Sequence, residues 1–225
     1  ALMKVTYPVF SEVQDDNVRL KNIYKKITFL VFFTTTPIML ISIIIAEPLF
    51  RFLLTEKWLP AVPYFKILCI AAIFYPISMY SLNIITAKGL SGLHLKLEAL
   101  KKAISFIVLL SLLKFGIYGV VIAAGLSMLI HASVNAYYSG KLINYPLIEQ
   151  VRNLIPITLI SVICMVISYY FLNSINNYFI TSDLIQVSIT TLFYFTIYIS
   201  LSFICRLNGL KEVKELLINI KGLKQ

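Results

Sequence analysis

The chain has 225 residues, of which 59% are hydrophobic and only 13% are charged, and its formal net charge is +10. Its mean hydropathy is +0.86. Charged residues make up about a quarter of an ordinary soluble domain. This composition therefore excludes an ordinary soluble domain and predicts an integral membrane protein.

Six long apolar segments follow one another along the chain, separated by short polar breaks. Most are close to the ~20 residues that a membrane-spanning helix needs. The third is the weakest, because Glu98, Lys101 and Lys102 shorten its uncharged part. We therefore expect an all-α polytopic membrane protein with six transmembrane helices. The segments cover residues 27–50, 61–87, 97–113, 116–138, 154–172 and 184–205.

The basic residues are distributed unevenly between the two predicted sides of the membrane. Only four of the twenty Lys and Arg residues fall on one side: Arg51, Lys57, Lys66 and Lys114. Because basic residues accumulate in cytoplasmic loops, both ends of the chain are predicted to be cytoplasmic. Contacts with anionic lipid head groups then account for the net charge without a nucleic acid partner.

The region before the first segment reads as the end of a helix followed by a basic interfacial stretch. Pro8 is expected to break the preceding helix, and Asp16 or Asn17 to cap the next one. The chain opens without an initiator Met, so we expect a fragment of a longer transporter. Three regions are predicted: an interfacial segment (1–26), a six-helix transmembrane lobe (27–206) and a basic amphipathic cytoplasmic tail (207–225).

The cysteines do not suggest a cofactor. Cys69, Cys164 and Cys205 all lie inside apolar segments, with no CxxC spacing and no nearby His. They are expected to pack as small apolar residues. No metal ion, disulfide framework or other cofactor is predicted, and no Walker-type nucleotide-binding motif is present in the sequence.

Four local motifs, taken in order, carry a family resemblance. Each is weak alone, but their order and spacing are moderately specific. They are YPVFS at 7–11 with QDD at 14–16, EKWLPAVPYFKIL at 56–68, Asn83 with AKG at 87–89, and FGIYGV at 115–120. With them the chain resembles the polysaccharide and O-antigen flippases of the multidrug/oligosaccharidyl-lipid/polysaccharide exporter superfamily. Thr55 departs from the glycine that such proteins often carry before the acidic-basic-Trp turn.

The resemblance implies a fold and a function. The fold would be one lobe of a MATE-like transporter, the carboxy-terminal half, in the inner membrane of a bacterium. The substrate would be an undecaprenyl-pyrophosphate-linked oligosaccharide of lipopolysaccharide or O-antigen biosynthesis. The partners would be that lipid, the surrounding membrane lipids and the missing amino-terminal lobe. Alternatives are a drug or small-metabolite exporter of the same superfamily and a membrane-embedded glycan polymerase or acyltransferase; short loops disfavour an enzyme.

Prolines and small residues predict how the helices bend and pack. Pro37 and Pro76 should kink the first two spans. Gly116, Gly119 and Ala123 give the fourth span a small-residue face, where another helix backbone can come close. We expect this face to serve close packing between helices rather than substrate binding.

Polar side chains inside the spans are the best candidates for a transport site. Ser127, His131 and Asn135 lie at helical spacing on one face of the fourth span, with Tyr138 one turn further on. Polar residues at membrane depth usually face a protein interior or a wet cavity. They could line a lumen that accepts sugar hydroxyls, or form hydrogen bonds between helices. Asn83, which belongs to one of the motifs above, is a further lumen candidate.

Three lysines near the ends of spans are candidates for a pyrophosphate contact. Lys66 either snorkels to the outer surface or points into the lumen. Lys101 and Lys102 are expected at the inner mouth, where contact with ordinary lipid is the competing interpretation. Spacings of four residues predict helical ion pairs between Glu98 and Lys102 and, at the outer surface, between residues 47 and 51.

Overall fold

A computed structural model describes residues 2–178, 182–205 and 207, with side chains for 7–175, 182–205 and 207. Within these residues all regular structure is helical. The predicted amphipathic tail, 207–225, lies outside the described residues apart from Leu207. The helices are α1 Leu2–Glu12, α2 Asn17–Ile44, α3 Ala46–Leu54, α4 Val62–Ala72, α5 Tyr75–Ala87, α6 Ser91–Leu112, α7 Gly116–Leu142, α8 Leu147–Tyr178 and α9 Asp183–Ile204, with 3₁₀ helices at Glu56–Ala61 and Leu113–Phe115.

Five helical stretches in the described part of the chain are long and apolar enough to cross a membrane, as expected of a polytopic membrane protein. The sequence predicts six, and that number stays a prediction. The difference lies in one stretch, Ser91–Leu142, which has 52 residues and contains both α6 and α7. The other four are Asn17–Ile44, Glu56–Ala87, Leu147–Ile175 and Asp183–Ile204.

The chain divides into two compact units. The first comprises the chain up to Phe32 together with Ile70–Leu154, and the second comprises Phe33–Cys69 with the chain from Ile155 onward. The first contains α1, α5, α6 and α7 and the start of α2. The second contains α3, α9, the end of α2 and most of α8.

Helix α1 packs against α5 in the core of the first unit. Phe10 is fully buried there, next to Tyr80 and Ile84 of α5. The prediction that Pro8 breaks this helix is wrong, because α1 continues through Pro8 to Glu12. Burial of Phe10 and Val13 supplies apolar contacts that offset the backbone hydrogen bond that a proline cannot donate.

Helix α2 begins at the predicted cap. The carboxylate of Asp16 accepts hydrogen bonds of 3.0 Å from the backbone amides of Val18 and Arg19. The helix then runs without interruption to Ile44, so the predicted boundary between residues 26 and 27 falls inside it. Tyr24, in the stretch expected to be interfacial, is fully buried. This stretch is the first part of α2, and its position at the membrane interface stays a prediction.

The two predicted proline kinks have different outcomes. The second apolar segment is interrupted, since α4 ends at Ala72 and α5 starts at Tyr75, with Pro76 in its first turn. Proline is tolerated there because the first amides of a helix have no intrahelical acceptor. Pro37 lies inside α2, which continues past it to Ile44, so the kink predicted there stays a prediction. The kink predicted at Pro76 is therefore confirmed as a helix break.

Helices α6 and α7 are connected by a short turn and pack against each other. Gly116 starts α7 with a φ of +63°, a conformation that favours glycine. A Cβ atom on Gly119 would lie 1.8 Å from the carbonyl oxygen of Leu112, at the end of α6. The predicted close approach of a neighbouring backbone is confirmed at this glycine.

In the second unit α3 packs against α9 and the 3₁₀ helix Glu56–Ala61. Thr55 joins α3 to that 3₁₀ helix with a φ of +75°, a backbone conformation that costs a residue with a Cβ atom about 1–3 kcal/mol. The flippases that the chain resembles often have a glycine at this position, and a glycine would avoid this cost. The hydroxyl of Tyr194 on α9 donates to the carbonyl of Ser161 on α8 at 3.3 Å, which is an interhelical hydrogen bond within this unit.

Candidate functional site

A group of hydrogen-bonded polar side chains connects α5, α6 and α7 inside the first unit. We call it the α6–α7 polar cluster. It contains three of the predicted site residues, Lys101, His131 and Asn135. Its members are Ser78, Glu98, Lys101, Ser105, His131 and Asn135.

Lys101 is the most unusual member of the cluster, because it is only 2% exposed. Its Nζ atom lies 2.6 Å from a carboxylate oxygen of Glu98 and donates a 3.0 Å hydrogen bond to Asn135. A charge taken out of water is costly unless it is paired and hydrogen-bonded. The sequence predicts Lys101 at the inner mouth, in contact either with a pyrophosphate or with ordinary lipid. The structure buries it among protein groups.

Asn135 connects the three helices. It is fully buried, and its side-chain nitrogen donates to the carbonyl and the hydroxyl of Ser78 on α5, at 3.2 and 2.9 Å. Its side-chain oxygen accepts the hydrogen bond from Lys101 on α6. Asn135 therefore makes the interhelical hydrogen bonds that the sequence offered as the alternative to a lumen-lining role.

His131 lies one turn before Asn135 on α7 and is partly exposed. Its Nε2 atom is 3.0 Å from the hydroxyl oxygen of Ser105 on α6. His131 retains solvent- or ligand-accessible surface, unlike Asn135. It is the cluster's clearest candidate for direct contact with a substrate.

The other predicted site residues occupy different places. Ser127 is partly exposed on α7, Asn83 is buried on α5, and Lys102 is exposed on α6. Lys66 belongs to α4 in the second unit. Its Nζ atom lies 3.0 Å from a carboxylate oxygen of Glu47, so it forms an ion pair within that unit.

Both predicted helical ion pairs are wrong in their choice of partner. Glu98 pairs with Lys101, three residues away, because Lys101 turns toward α7 while Lys102 stays exposed. Glu47 pairs with Lys66, and Arg51 lies 3.9 Å from Asp183 on α9. Neighbouring helices offer partners that spacing along one helix does not show.

Sequence reasoning missed a second polar network in the first unit. The hydroxyl of Tyr24 lies 2.8 Å from that of Ser81 and donates to Gln150 at 3.0 Å. The side-chain nitrogen of Gln150 in turn donates to the carbonyl of Tyr145 at 2.8 Å. The signal available in the sequence was weak: Ser81 inside one apolar segment, and Gln150 four residues before another.

Tyr145 forms one wall of a largely apolar cavity beside this network. The cavity has a volume of about 120 Å³, and most of its lining comes from residues of α2, α5, α7 and α8 that belong to the first unit. Tyr145 lies between α7 and α8, outside the candidate spans, and burial raises the pKa of its phenol. The phenol therefore stays neutral and acts here as a hydrogen-bonding group.

Among the described residues, no group of three His, Cys, Asp or Glu side chains is placed to hold a metal ion. The α6–α7 polar cluster instead offers a buried cation, a carboxylate that is one third exposed and an imidazole. Such a set can form hydrogen bonds with a polar ligand.

Two similarities to known proteins bear on the function of the chain. Residues 1–63 match the model of a family described as polysaccharide biosynthesis protein. The chain is also similar to a protein of Klebsiella pneumoniae described as an uncharacterized membrane protein in the cps region. The two are 27% identical over 139 residues, which cover 61% of this chain and 28% of that protein. No solved structure matches the chain significantly.

Proposed function

We propose that this chain forms the carboxy-terminal lobe of a flippase for lipid-linked oligosaccharides. The flippase would move an undecaprenyl-pyrophosphate-linked oligosaccharide from the inner to the outer leaflet of the bacterial cytoplasmic membrane. The observation that carries the proposal is the match of residues 1–63 to a polysaccharide biosynthesis family, in a chain whose described part contains five helical stretches long and apolar enough to span a membrane.

The similarity to the membrane protein of the cps region supports the same proposal and extends it. The alignment covers only 28% of that protein, so we include a second, amino-terminal lobe as a partner. Transport would occur by alternating movement of two lobes around a central cavity. The glycan and the diphosphate would lie in the wet cavity, and the prenyl chain would remain in lipid.

The α6–α7 polar cluster is the proposed substrate-facing region of this lobe. Buried Lys101 and Asn135 would hold α5, α6 and α7 together, because their hydrogen bonds are made to one another and to Ser78. Partly exposed His131 would present its imidazole to the sugar hydroxyls. In this proposal the chain is not an enzyme, and it has no catalytic residue.

Deleting the gene in its own bacterium tests the proposal and its alternatives. A flippase deletion should abolish surface polysaccharide and trap the lipid-linked precursor on the inner leaflet. Normal polysaccharide with increased drug sensitivity would indicate a drug or metabolite exporter. Surface glycan that is present but altered in chain length or acylation would indicate a glycan polymerase or acyltransferase.

A matched pair of variants on α7 tests the role of His131. His131→Leu in the full-length protein should abolish export while the amount of protein in the membrane stays normal. Ser133→Leu, at an exposed position two residues further on, should export normally. Equal export by both variants would contradict substrate contact by His131.

A further inference from the structure

A second cavity, which we call the α3–α8 cavity, lies entirely within the second unit. It has a volume of about 280 Å³ and lies at the end of the helices that the distribution of basic residues predicts to be external. Helices α3, α4, α8 and α9 all contribute to it. Its polar lining consists of Glu47, Arg51, Lys66, Tyr169, Asn173 and Gln186.

The charges that line the α3–α8 cavity favour an anion. Two cations, Arg51 and Lys66, face one carboxylate, that of Glu47. Their side chains are 40% and 35% exposed, so both are reachable from the cavity. Arg51 approaches Asp183 through its Nε atom at 3.9 Å. A guanidinium has five N–H donors in a planar fork. Among the described residues, this long contact at Nε leaves the two terminal nitrogens of Arg51 suited to a second planar anion.

The uncharged part of the lining suits a sugar ring. Tyr169 is 52% exposed, and Asn173 follows it by one turn on the same face of α8. The amides of Asn173 and Gln186 can donate to and accept from hydroxyl groups. The aromatic face of Tyr169 can pack against the C–H groups of a sugar. Buried Ile43, Ile44 and Leu172 form an apolar floor, as in many small-molecule sites.

We propose that the α3–α8 cavity binds an acidic saccharide, with its carboxylate between Arg51 and Lys66 and its ring against Tyr169. The choice of a saccharide rests on the proposed function; the choice of an acidic one rests on the two cations. The site would receive an acidic sugar of the glycan at the external end of this unit. A neutral sugar or a phospholipid head group is the competing occupant.

The binding test uses the full-length protein in nanodiscs of phosphatidylcholine and saturation-transfer NMR. The probes are glucuronate and glucose. We expect glucuronate to bind more tightly than glucose. Arg51→Gln and Lys66→Gln should each weaken glucuronate binding about tenfold or more, because each removes a charge-assisted hydrogen bond. Lys66→Arg should retain most of the binding.

Lys57→Gln is the matched control, because Lys57 is an exposed cation near the same end of the unit that does not line the cavity. It should bind glucuronate normally. Equal binding of glucose and glucuronate, no binding of either, or equal loss in all three Gln variants would overturn the proposal. Loss of glucuronate binding on adding phosphatidylglycerol would assign the site to a lipid head group instead.

The two proposals fail in different ways. If glucuronate does not bind while deletion of the gene still abolishes surface polysaccharide, the site is wrong and the flippase function stands. If glucuronate binds with the expected dependence on Arg51 and Lys66 while deletion leaves surface polysaccharide unchanged, the binding site stands and the flippase function is wrong.

Discussion

The ammonium of Lys101 on α6 donates a 3.0 Å hydrogen bond to the side-chain oxygen of Asn135 on α7. Near the other end of the same pair of helices, the backbone of Leu112 approaches Gly119. Position numbers rise along α6 as they fall along α7, so the two helices are antiparallel. A polar contact and a steric contact together define how they align.

We expect Glu98→Gln to destabilise the protein more than Lys101→Met. Glu98→Gln leaves the buried ammonium of Lys101 without its counter-charge, which costs about 3 kcal/mol. Lys101→Met removes the buried charge. It leaves a carboxylate that is one third exposed and the side-chain oxygen of Asn135 without its donor, at a cost of about 1–2 kcal/mol. The unfolding temperatures of the two variants show which is less stable. They can be measured on the full-length protein in detergent, with size-exclusion chromatography as the readout of unfolding.

Lys102→Met is the control for this pair, since Lys102 adjoins Lys101 but is exposed. It should unfold close to the wild-type temperature. A larger drop in unfolding temperature for Lys101→Met than for Glu98→Gln would contradict the view that burial of the ammonium dominates the energetics of this ion pair.

Gly119→Ala should destabilise the contact between α6 and α7. The added Cβ atom would lie 1.8 Å from the carbonyl oxygen of Leu112, and the backbone must move to relieve the overlap, at a cost of about 1–3 kcal/mol. Gly92→Ala is the matched control in a helix, because a Cβ atom there meets nothing within 4 Å. It should be neutral or slightly stabilising. Unfolding temperatures that do not separate the two variants would reject the close approach.

Thr55→Gly should stabilise the protein by about 1 kcal/mol, since glycine adopts a positive φ without the steric cost that threonine incurs, although its extra freedom in the unfolded chain offsets part of the gain. Thr55 has a φ of +75°. Thr55→Ala keeps a Cβ atom and should bring no gain. The unfolding temperatures of the two variants decide the matter; an equal rise in both would point to a cause other than the backbone conformation.

Labelling of single cysteines can decide between five and six spans. If α6 and α7 each cross the membrane, a cysteine at Lys114 is labelled from outside intact cells by an impermeant thiol reagent, and cysteines at Gly92 and Asn144 are not. All three positions are exposed in the structure. The background must lack the native cysteines. Labelling of only one of the two end positions, Gly92 or Asn144, would show that the Ser91–Leu142 stretch crosses once, and equal labelling or protection of all three positions would show that it does not cross.

The local features of the fold were largely readable from the sequence. The cap at Asp16, the break near Pro76 and the close approach at Gly119 were all expected, because each depends on the chemistry of one residue and its immediate neighbours. The break expected at Pro8 was wrong, since burial of Phe10 and Val13 outweighs a local preference. His131 and Asn135 were also expected as a polar pair, but not Ser78 or Ser105 as their partners.

Composition and the spacing of apolar and basic residues were enough to predict an all-helical membrane protein, because hydropathy and charge along a chain decide which segments leave water. Which side chains form ion pairs and hydrogen bonds with one another was decided only by the tertiary structure. It pairs Lys101 with Glu98 and Asn135, and Glu47 with Lys66. Helical spacing tells which residues share a face, but the helix that the face meets depends on packing between segments distant in the chain. The burial of Lys101 follows from that packing alone.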